Sequence, residues 1–237
     1  MRQTYSMRRN HATGSTGSAL AYFFLLLGIV IMLIPLKNID THLTKAAPLE
    51  AASDLSADAF TPGGSYDLGE VSVLDNYAYA TTNDDINTNY YAVLFGGDND
   101  EPYLISVAVS TGDDIYQELW DYSTDETLML GDLTKRICGV AQDFEDDTLS
   151  EYYQGYQDDL YNEGIEVTAI PLELVYKGQD ADAFQKSVNS DWAHAVVTTV
   201  IIELVGILFL IIGILLKRHE TNKQMKKEAE MDGPEIL

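Results

Sequence analysis

The chain has 237 residues with 38 Asp or Glu and 14 Lys or Arg, which gives a formal net charge of −24 at pH 7. Such an excess of negative charge repels nucleic acid, so we exclude nucleic-acid binding. The single cysteine, Cys138, excludes an intramolecular disulfide and a paired-cysteine zinc site, and we expect it to be a small buried residue.

The first apolar stretch, 19–36, follows a basic tail, 1–18, that contains Arg8 and Arg9. Eighteen helical residues span about 27 Å, close to the hydrocarbon thickness of a bilayer. This length predicts a first transmembrane helix. A cleaved signal peptide is the alternative, but its apolar region is only about 7 to 15 residues long. No small-x-small cleavage site follows promptly after Leu36, so we favour an uncleaved anchor.

Residues 37–65 lack hydrophobic periodicity and are rich in small residues, which predicts a linker, with a short helix at 49–55. The pattern then changes, because apolar and polar residues alternate with a period of two. This alternation predicts three antiparallel strands around 71–79, 91–95 and 103–109, joined by short turns.

The next part of the chain predicts a helix at 113–122 and strands at 127–130 and 137–141. For the helix, Thr111 with Asp114 forms a capping pattern, and Ile115, Leu119 and Tyr122 fall on one helical face.

A capping box, Thr148 with Glu151, predicts the start of a second helix that ends at Gly164. Residues 165–176 then predict a last strand, and Pro171 places it at a sheet edge or at a bulge.

The segment 66–177 is therefore predicted to be one α+β domain with an antiparallel sheet and two or three helices. Residues 178–192 predict a juxtamembrane helix that continues into a second transmembrane helix, 193–216. We expect Trp192 at one membrane interface, and Lys217 and Arg218 at the other. Residues 217–237 form a tail.

The cations indicate the orientation. Eight of the 14 Lys and Arg lie in the two tails, whereas segment 37–193 holds six cations against 32 carboxylates. The positive-inside rule predicts a two-pass cell-membrane protein with both termini cytoplasmic and the acidic domain outside the cytoplasm. The sequence contains no Asn-x-Ser/Thr acceptor, and with the lack of paired cysteines this favours a bacterial cell envelope.

One acidic residue, Glu203, lies near the middle of the second apolar stretch, where a charge is costly. Thr199, Gly206 and Gly213 share its helical face by their spacing, which indicates a packing or assembly face. The first apolar stretch has no ionisable partner, so we predict that this face meets a protein partner or a second copy of the chain. A tolerated lone acid and a role in ion translocation remain open.

Acidic turns and tyrosines suggest two further roles. Residues 98–101 and 145–147 allow loose binding of divalent cations, although no EF-hand loop is complete. The abundant tyrosines are mostly core residues by their periodicity. We expect a few tyrosines to remain exposed and to contribute to a recognition surface. The candidates are Tyr152, Tyr153 and Tyr156 on one helix, and Tyr90 with Tyr91 in one strand.

Catalytic signals are lacking, because no histidine falls within 66–176 and no glycine-rich phosphate loop occurs. The sequence therefore predicts a non-enzymatic membrane-anchored interaction or accessory subunit, without cofactor, whose partners are the lipid bilayer and a protein. Two alternatives stay open: a transporter- or channel-associated subunit that uses Glu203, and a carboxylate-dependent envelope hydrolase.

Overall fold

The computed structural model describes residues 16–42, 46–82, 85–98, 101–125, 129 and 131–231, without the side chains of 16–17, 35–42 and 228–231. Two compact units make up the chain. The helical unit comprises Met1–Thr44 and Ala193–Leu237, and the barrel unit comprises Lys45–Trp192. The fold is mixed α+β, as the sequence predicts.

In the described part of the barrel unit, six strands and two α-helices lie entirely within the unit, and the last α-helix of the chain begins there. The elements are β1 (Leu49–Ala51), β2 (Ser65–Thr82), β3 (Asp85–Gly96), β4 (Pro102–Ser110), α2 (Tyr116–Thr124), β5 (Leu133–Gln142), α3 (Asp147–Asn162), β6 (Thr168–Gly178) and α4 (Ala181–Met231). The helical unit contains α1 (Thr16–His42) and the rest of α4.

Five of the strands close into a barrel. Strands β2, β3 and β4 form an antiparallel meander, and β6 joins β4 in parallel. Strand β5 pairs antiparallel with both β6 and β2, which completes the circle in the order β2-β3-β4-β6-β5. This order, with α2 between the third and fourth barrel strands, is a Greek-key arrangement of the OB type.

Strand β2 makes closure possible because it is long enough, at 18 residues, to pair with different neighbours at its two ends. Its first half pairs with β5 and its second half pairs with β3. The register shifts between Asp67 and Glu70, where Gly69 has a φ of +71°. Glycine adopts this conformation without the usual steric cost, so the strand bends there.

The inward side chains of the five strands fill the barrel. Tyr91, Tyr103, Ile105, Ile137 and Leu174 are among the largest fully buried side chains. Helix α2 packs on this core through buried residues on its inner face. A core of this size accounts for a stable domain without a disulfide.

The outer face of the meander is covered by α3. Its buried residues Leu149, Tyr153 and Leu160 pack on outward side chains of β2, β3 and β4, such as Leu104. The Tyr153 hydroxyl donates a hydrogen bond to the Leu104 carbonyl at 2.8 Å. In OB-type barrels the second and third strands present this face to oligonucleotides or oligosaccharides, whereas here the chain covers it with its own helix.

The predicted strands of the meander are present in β2, β3 and β4, and the predicted strand 137–141 lies within β5. The predicted strand 127–130 falls largely outside the described residues. The expected bulge at Pro171 is confirmed, because the β4–β6 register shifts between Leu104 and Ser106, opposite that proline.

The segment predicted as a linker, 37–65, differs in its second half. The expected helix at 49–55 is replaced by β1, which pairs in parallel with β2, followed by a 3₁₀ turn at Ala52–Asp54. Phe60 is buried against Tyr66, with ring centroids 4.5 Å apart. A single aromatic anchor and a three-residue strand leave no periodic signal in the sequence, so this region resembled a linker.

Within the described residues, one helix is long and apolar enough to cross a membrane. It is Ala181–Lys227 of α4, in which the most apolar 18-residue window has a mean hydropathy of 2.9 and is only 11% buried. The described apolar part of α1, Ser18–Ile34, is shorter. One membrane-crossing helix is therefore supported, and the predicted second crossing remains a proposal.

Candidate functional site

The three tyrosines predicted as a recognition surface on α3 have different environments. Tyr152 is 59% exposed, Tyr156 is half-buried and Tyr153 is buried beneath the helix. Tyr90 and Tyr91, predicted as a second pair, are both buried. Of these five tyrosines, only Tyr152 therefore presents a freely exposed ring. Neighbouring residues of a helix point in different directions, so Tyr153 faces the barrel while Tyr152 faces away from it.

Tyr152 borders a depression of about 190 Å³ between the β2–β3 hairpin and the beginning of α3, which we call the acidic pocket. Two carboxylates and three tyrosines are among the side chains around it. Its lining residues are Ala78, Tyr79, Ala80, Tyr90, Glu145, Asp146, Thr148, Leu149 and Tyr152.

Local structure fixes the acidic rim of this pocket. Asp146 is the N-cap of α3 and accepts a hydrogen bond from the Leu149 N–H at 2.8 Å. The cap orients this carboxylate at the helix N-terminus, where the partial positive charge of the helix favours it. The predicted capping box began at Thr148, two residues later, and the structure assigns the cap to Asp146.

Tyr90 forms part of the pocket wall, and the nearby carboxylates influence the pKa of its hydroxyl group. Burial raises the pKa of Tyr90 to about 12, and the negative charges of Glu173, Glu145 and Asp146 contribute in the same direction. Three acidic groups thus surround one phenol. The two exposed carboxylates, Glu145 and Asp146, give this part of the barrel surface a negative potential that favours cations.

Glu173 is the buried member of this group, with only 2% of its surface exposed. It lies on β6 opposite Ser106 of β4, on the barrel face that α3 covers. Its Oε1 accepts a hydrogen bond from Gln142 Nε2 at 2.8 Å, whereas its Oε2 has no hydrogen-bond partner within the described residues. Burial, with a smaller contribution from the negative charges of Glu145 and Asp146, raises the pKa of Glu173 to about 7.

The side chains around the acidic pocket are chemically suited to a cationic group. Among the described residues, no group of three potential metal-ligating side chains comes together. The exposed rings of Tyr79 and Tyr152 offer aromatic faces beside Glu145 and Asp146. Aromatic faces next to carboxylates suit an ammonium or guanidinium group, which gains both cation–π and charge interactions.

Two of the four residues predicted as an assembly face of α4, Gly206 and Gly213, lie against α1 of the same chain. A Cβ atom placed on Gly206 would come within 2.6 Å of Met32 Cγ, and one on Gly213 within 2.8 Å of Leu25 Cγ. Glu203 and Thr199 are half-buried. The two glycines therefore serve an intrachain helix contact. Association with a second copy through the same face remains a prediction.

Of the predicted interface residues, Trp192 is exposed on α4 and ends the barrel unit. Lys217 lies over the ring of Tyr22, with its Nζ 5.2 Å from the ring centroid. Arg218 follows on an adjacent part of the helix surface, beside Thr221 and Asn222.

Sequence reasoning named parts of the acidic pocket without joining them. It assigned the acids at 145–147 to loose cation binding and placed Tyr90 in a recognition surface, but it missed Tyr79. It also gave no role to Glu173, which is buried behind the pocket. Strand β2 and the beginning of α3 are about 65 residues apart in sequence, and no periodicity in either segment encodes their proximity. The structure brings them together across the barrel surface.

No family model matches the chain, and neither the curated proteins nor the solved structures include one that matches it.

Proposed function

We propose that this protein is a non-enzymatic, membrane-anchored interaction or accessory subunit that displays the barrel unit outside the cytoplasm and binds a positively charged partner there. The observation that carries the proposal is the charge of the barrel unit. Lys45–Trp192 contains 31 carboxylates and only five Lys or Arg residues. The unit is joined without a break in the helix to an apolar segment able to cross a membrane.

The few cations of the barrel unit are largely engaged with its own acids. Lys135 pairs with Glu118, and Arg136 pairs with Asp67 at 2.7 Å. Lys177 pairs with Asp191, also at 2.7 Å. Most carboxylates are thus left to interact with solvent ions or with a partner. A field of one sign accelerates association with an oppositely charged partner and selects against others.

Within this field, the acidic pocket is our candidate for the contact point. A concave site with aromatic rings provides the shape that a diffuse charged surface lacks. The partner group would be a lysine or arginine side chain, whose alkyl stem packs on Tyr79 and Tyr152 while its charged head reaches Glu145 and Asp146.

The test measures binding of a lysine-rich peptide to the full chain in nanodiscs of neutral lipid. The variant Glu145→Gln with Asp146→Asn removes two charges from the pocket, and Asn retains the ability to cap α3. We expect the dissociation constant to rise about tenfold, which corresponds to about 1.4 kcal/mol.

The matched control is Asp158→Asn with Asp159→Asn, which removes the same charge from exposed positions near the other end of α3. We expect less than a twofold change for it. Equal weakening by both pairs would show that only overall charge matters and would refute the pocket as the contact point. No binding by the unaltered chain at low salt would refute the proposed binding function itself.

A further inference from the structure

A second charged surface of opposite sign lies on α4 directly after its apolar segment. The helix surface there forms a shallow recess of about 440 Å³, lined by Ile214, Lys217, Arg218, Thr221 and Asn222. The segment 217–227 contains five Lys or Arg and one acid, Glu220, in a chain whose net charge is −24. The local potential is therefore reversed where the apolar helix ends.

The side chains of this recess match a phosphate group. Lys217 supplies an ammonium and Arg218 a guanidinium, whose donors suit phosphate oxygens. The Thr221 hydroxyl donates to the Lys217 carbonyl at 3.0 Å, so its proton is already in use. The amide of Asn222 is a further donor at the same recess.

An aromatic residue of α1 indicates where Lys217 would lie relative to the membrane surface. Its ammonium lies over the Tyr22 ring of α1, within the same unit. Tyrosine is favoured at membrane–water interfaces, and a cation over its ring gains a cation–π interaction. The pair therefore places Lys217 at the level of lipid head groups when α4 crosses a bilayer.

Apolar surface adjoins the recess on the side of the span. Ile214 forms one wall, and Leu215 of the preceding turn is exposed. A ligand that fills this recess would meet cations at one end and aliphatic side chains at the other. That combination fits an amphiphile with a phosphate head, not a free inorganic anion.

We propose that Lys217 and Arg218, with Asn222, form a binding site for the phosphate of an anionic glycerophospholipid. The site retains one such lipid at the end of the α4 span, in addition to the general attraction of a basic tail for anionic membranes. This inference requires α4 to cross a membrane but does not rest on the proposed partner of the barrel unit.

The experiment uses the full chain in a neutral detergent, with retained lipid counted by native mass spectrometry during titration with phosphatidylglycerol or phosphatidylcholine. We expect one retained phosphatidylglycerol and no retained phosphatidylcholine. The variant Lys217→Gln with Arg218→Gln should weaken phosphatidylglycerol retention about tenfold.

The control variant, Lys226→Gln with Lys227→Gln, removes the same charge from exposed positions two to three turns further along α4. It should change retention less than twofold. Equal loss in both variants would overturn the site, because retention would then follow tail charge alone. Equal retention of phosphatidylcholine, or displacement of the lipid by equimolar inorganic phosphate, would also overturn it. We expect the circular dichroism spectrum of each variant to match that of the unaltered chain, because all four substituted residues are exposed on α4.

Discussion

Glu173 is buried in the barrel face under α3, and the energetic consequence depends on pH. Its carboxyl titrates near 7 in the folded chain because burial and two nearby carboxylates disfavour the charged form. In the unfolded chain an ordinary glutamate titrates near 4.3. The folded state therefore holds a proton that the unfolded state has already lost, and stability falls as the pH rises between these two values.

We predict that Glu173→Gln stabilises the barrel unit at neutral pH. Glutamine resembles the protonated acid in shape and cannot ionise, so it removes a loss of about 3 kcal/mol that otherwise develops between pH 4.3 and 7. The measurement is the free energy of unfolding of the full chain in detergent, by chemical denaturation at pH 4.5 and pH 8.

The informative quantity is the difference in free energy of unfolding between the unaltered protein and the Glu173→Gln variant at each pH. Burial also raises the pKa values of Asp75 and Asp113. Both residues are present in the unaltered protein and in the variant, so their contributions to the pH dependence cancel. Parallel pH profiles would contradict the prediction, because Glu173 would then titrate normally. The difference should be small at pH 4.5 and largest at pH 8.

The sequence alone could place Glu173 but could not show its burial. In Ile170–Tyr176 the apolar side chains alternate toward the barrel interior, so Glu173 falls on the outward face, where solvent is the ordinary neighbour. The helix that covers this face is predicted from its own capping and periodicity. Neither pattern shows that this helix packs on the outer face of β2, β3 and β4, because that contact joins distant segments of the chain.

At the scale of elements, the contact between α1 and α4 depends on residues without side chains. A Cβ atom on Gly28 would lie 2.9 Å from the Gly206 carbonyl oxygen and 2.8 Å from Leu210 Cγ. The backbones of the two helices approach closely at this point. Phe24 and Phe209 extend the contact, with stacked rings 5.7 Å apart. Close approach of this kind is how helices pack in a membrane.

We predict that Gly28→Ala destabilises the helix pair by about 1 to 3 kcal/mol, because the new methyl group meets a backbone atom that cannot move aside alone. The measurement is unfolding of the full chain in mixed micelles by increasing sodium dodecyl sulfate. The control is Val30→Ala, because Val30 is 54% exposed on the same helix. Equal loss for both variants would show that the glycine contact contributes nothing special.

Helices and strands were predictable where the residues of one segment alone show a periodic or capping pattern. Strands β2 to β4 follow from alternation, and α3 follows from its capping residues and its apolar face. The spacing of Gly206 and Gly213 indicated a packing face on α4. It could not identify α1 as the neighbour, because Gly28 alone in the first stretch offers no matching pattern.

At the scale of the whole molecule, the barrel closes through pairings between distant segments. Strand β4 meets β6 in parallel about 60 residues later, and β2 meets β5 across a similar distance. The sequence predicted the antiparallel meander, whereas closure depends on the length of β2 and the bend at Gly69. In the sequence, the extra length of β2 has no distinct signal, and Gly69 cannot be told apart from other glycines of the chain.

Sidedness is the remaining whole-molecule prediction. From the charge distribution we predict that the barrel unit lies outside the cytoplasm and both tails lie within it. Cys138 is fully buried, which leaves a low background for thiol labelling. We expect Tyr161→Cys to react with a membrane-impermeant maleimide in intact cells, because Tyr161 is exposed. Lys223→Cys and Ser6→Cys should react only after permeabilisation.

The two tail positions separate the possible arrangements. Labelling of Ser6→Cys in intact cells, with Lys223→Cys still protected, would mean that α1 does not cross the membrane. Labelling of Lys223→Cys in intact cells, with Tyr161→Cys protected, would invert the orientation and remove the basis for a partner outside the cytoplasm.

Helix α3 occupies the barrel face that related architectures leave open, and it is held there by covalent links to β5 and β6 at its two ends. It therefore acts as a tethered competitor, present at an effective concentration of about millimolar or higher, against any ligand that would lie across β3 and β4. A free ligand must outcompete this helix before it can occupy the face. For the binding function proposed above, the accessible position is therefore the margin of the helix, where Glu145 and Asp146 meet the β2–β3 hairpin.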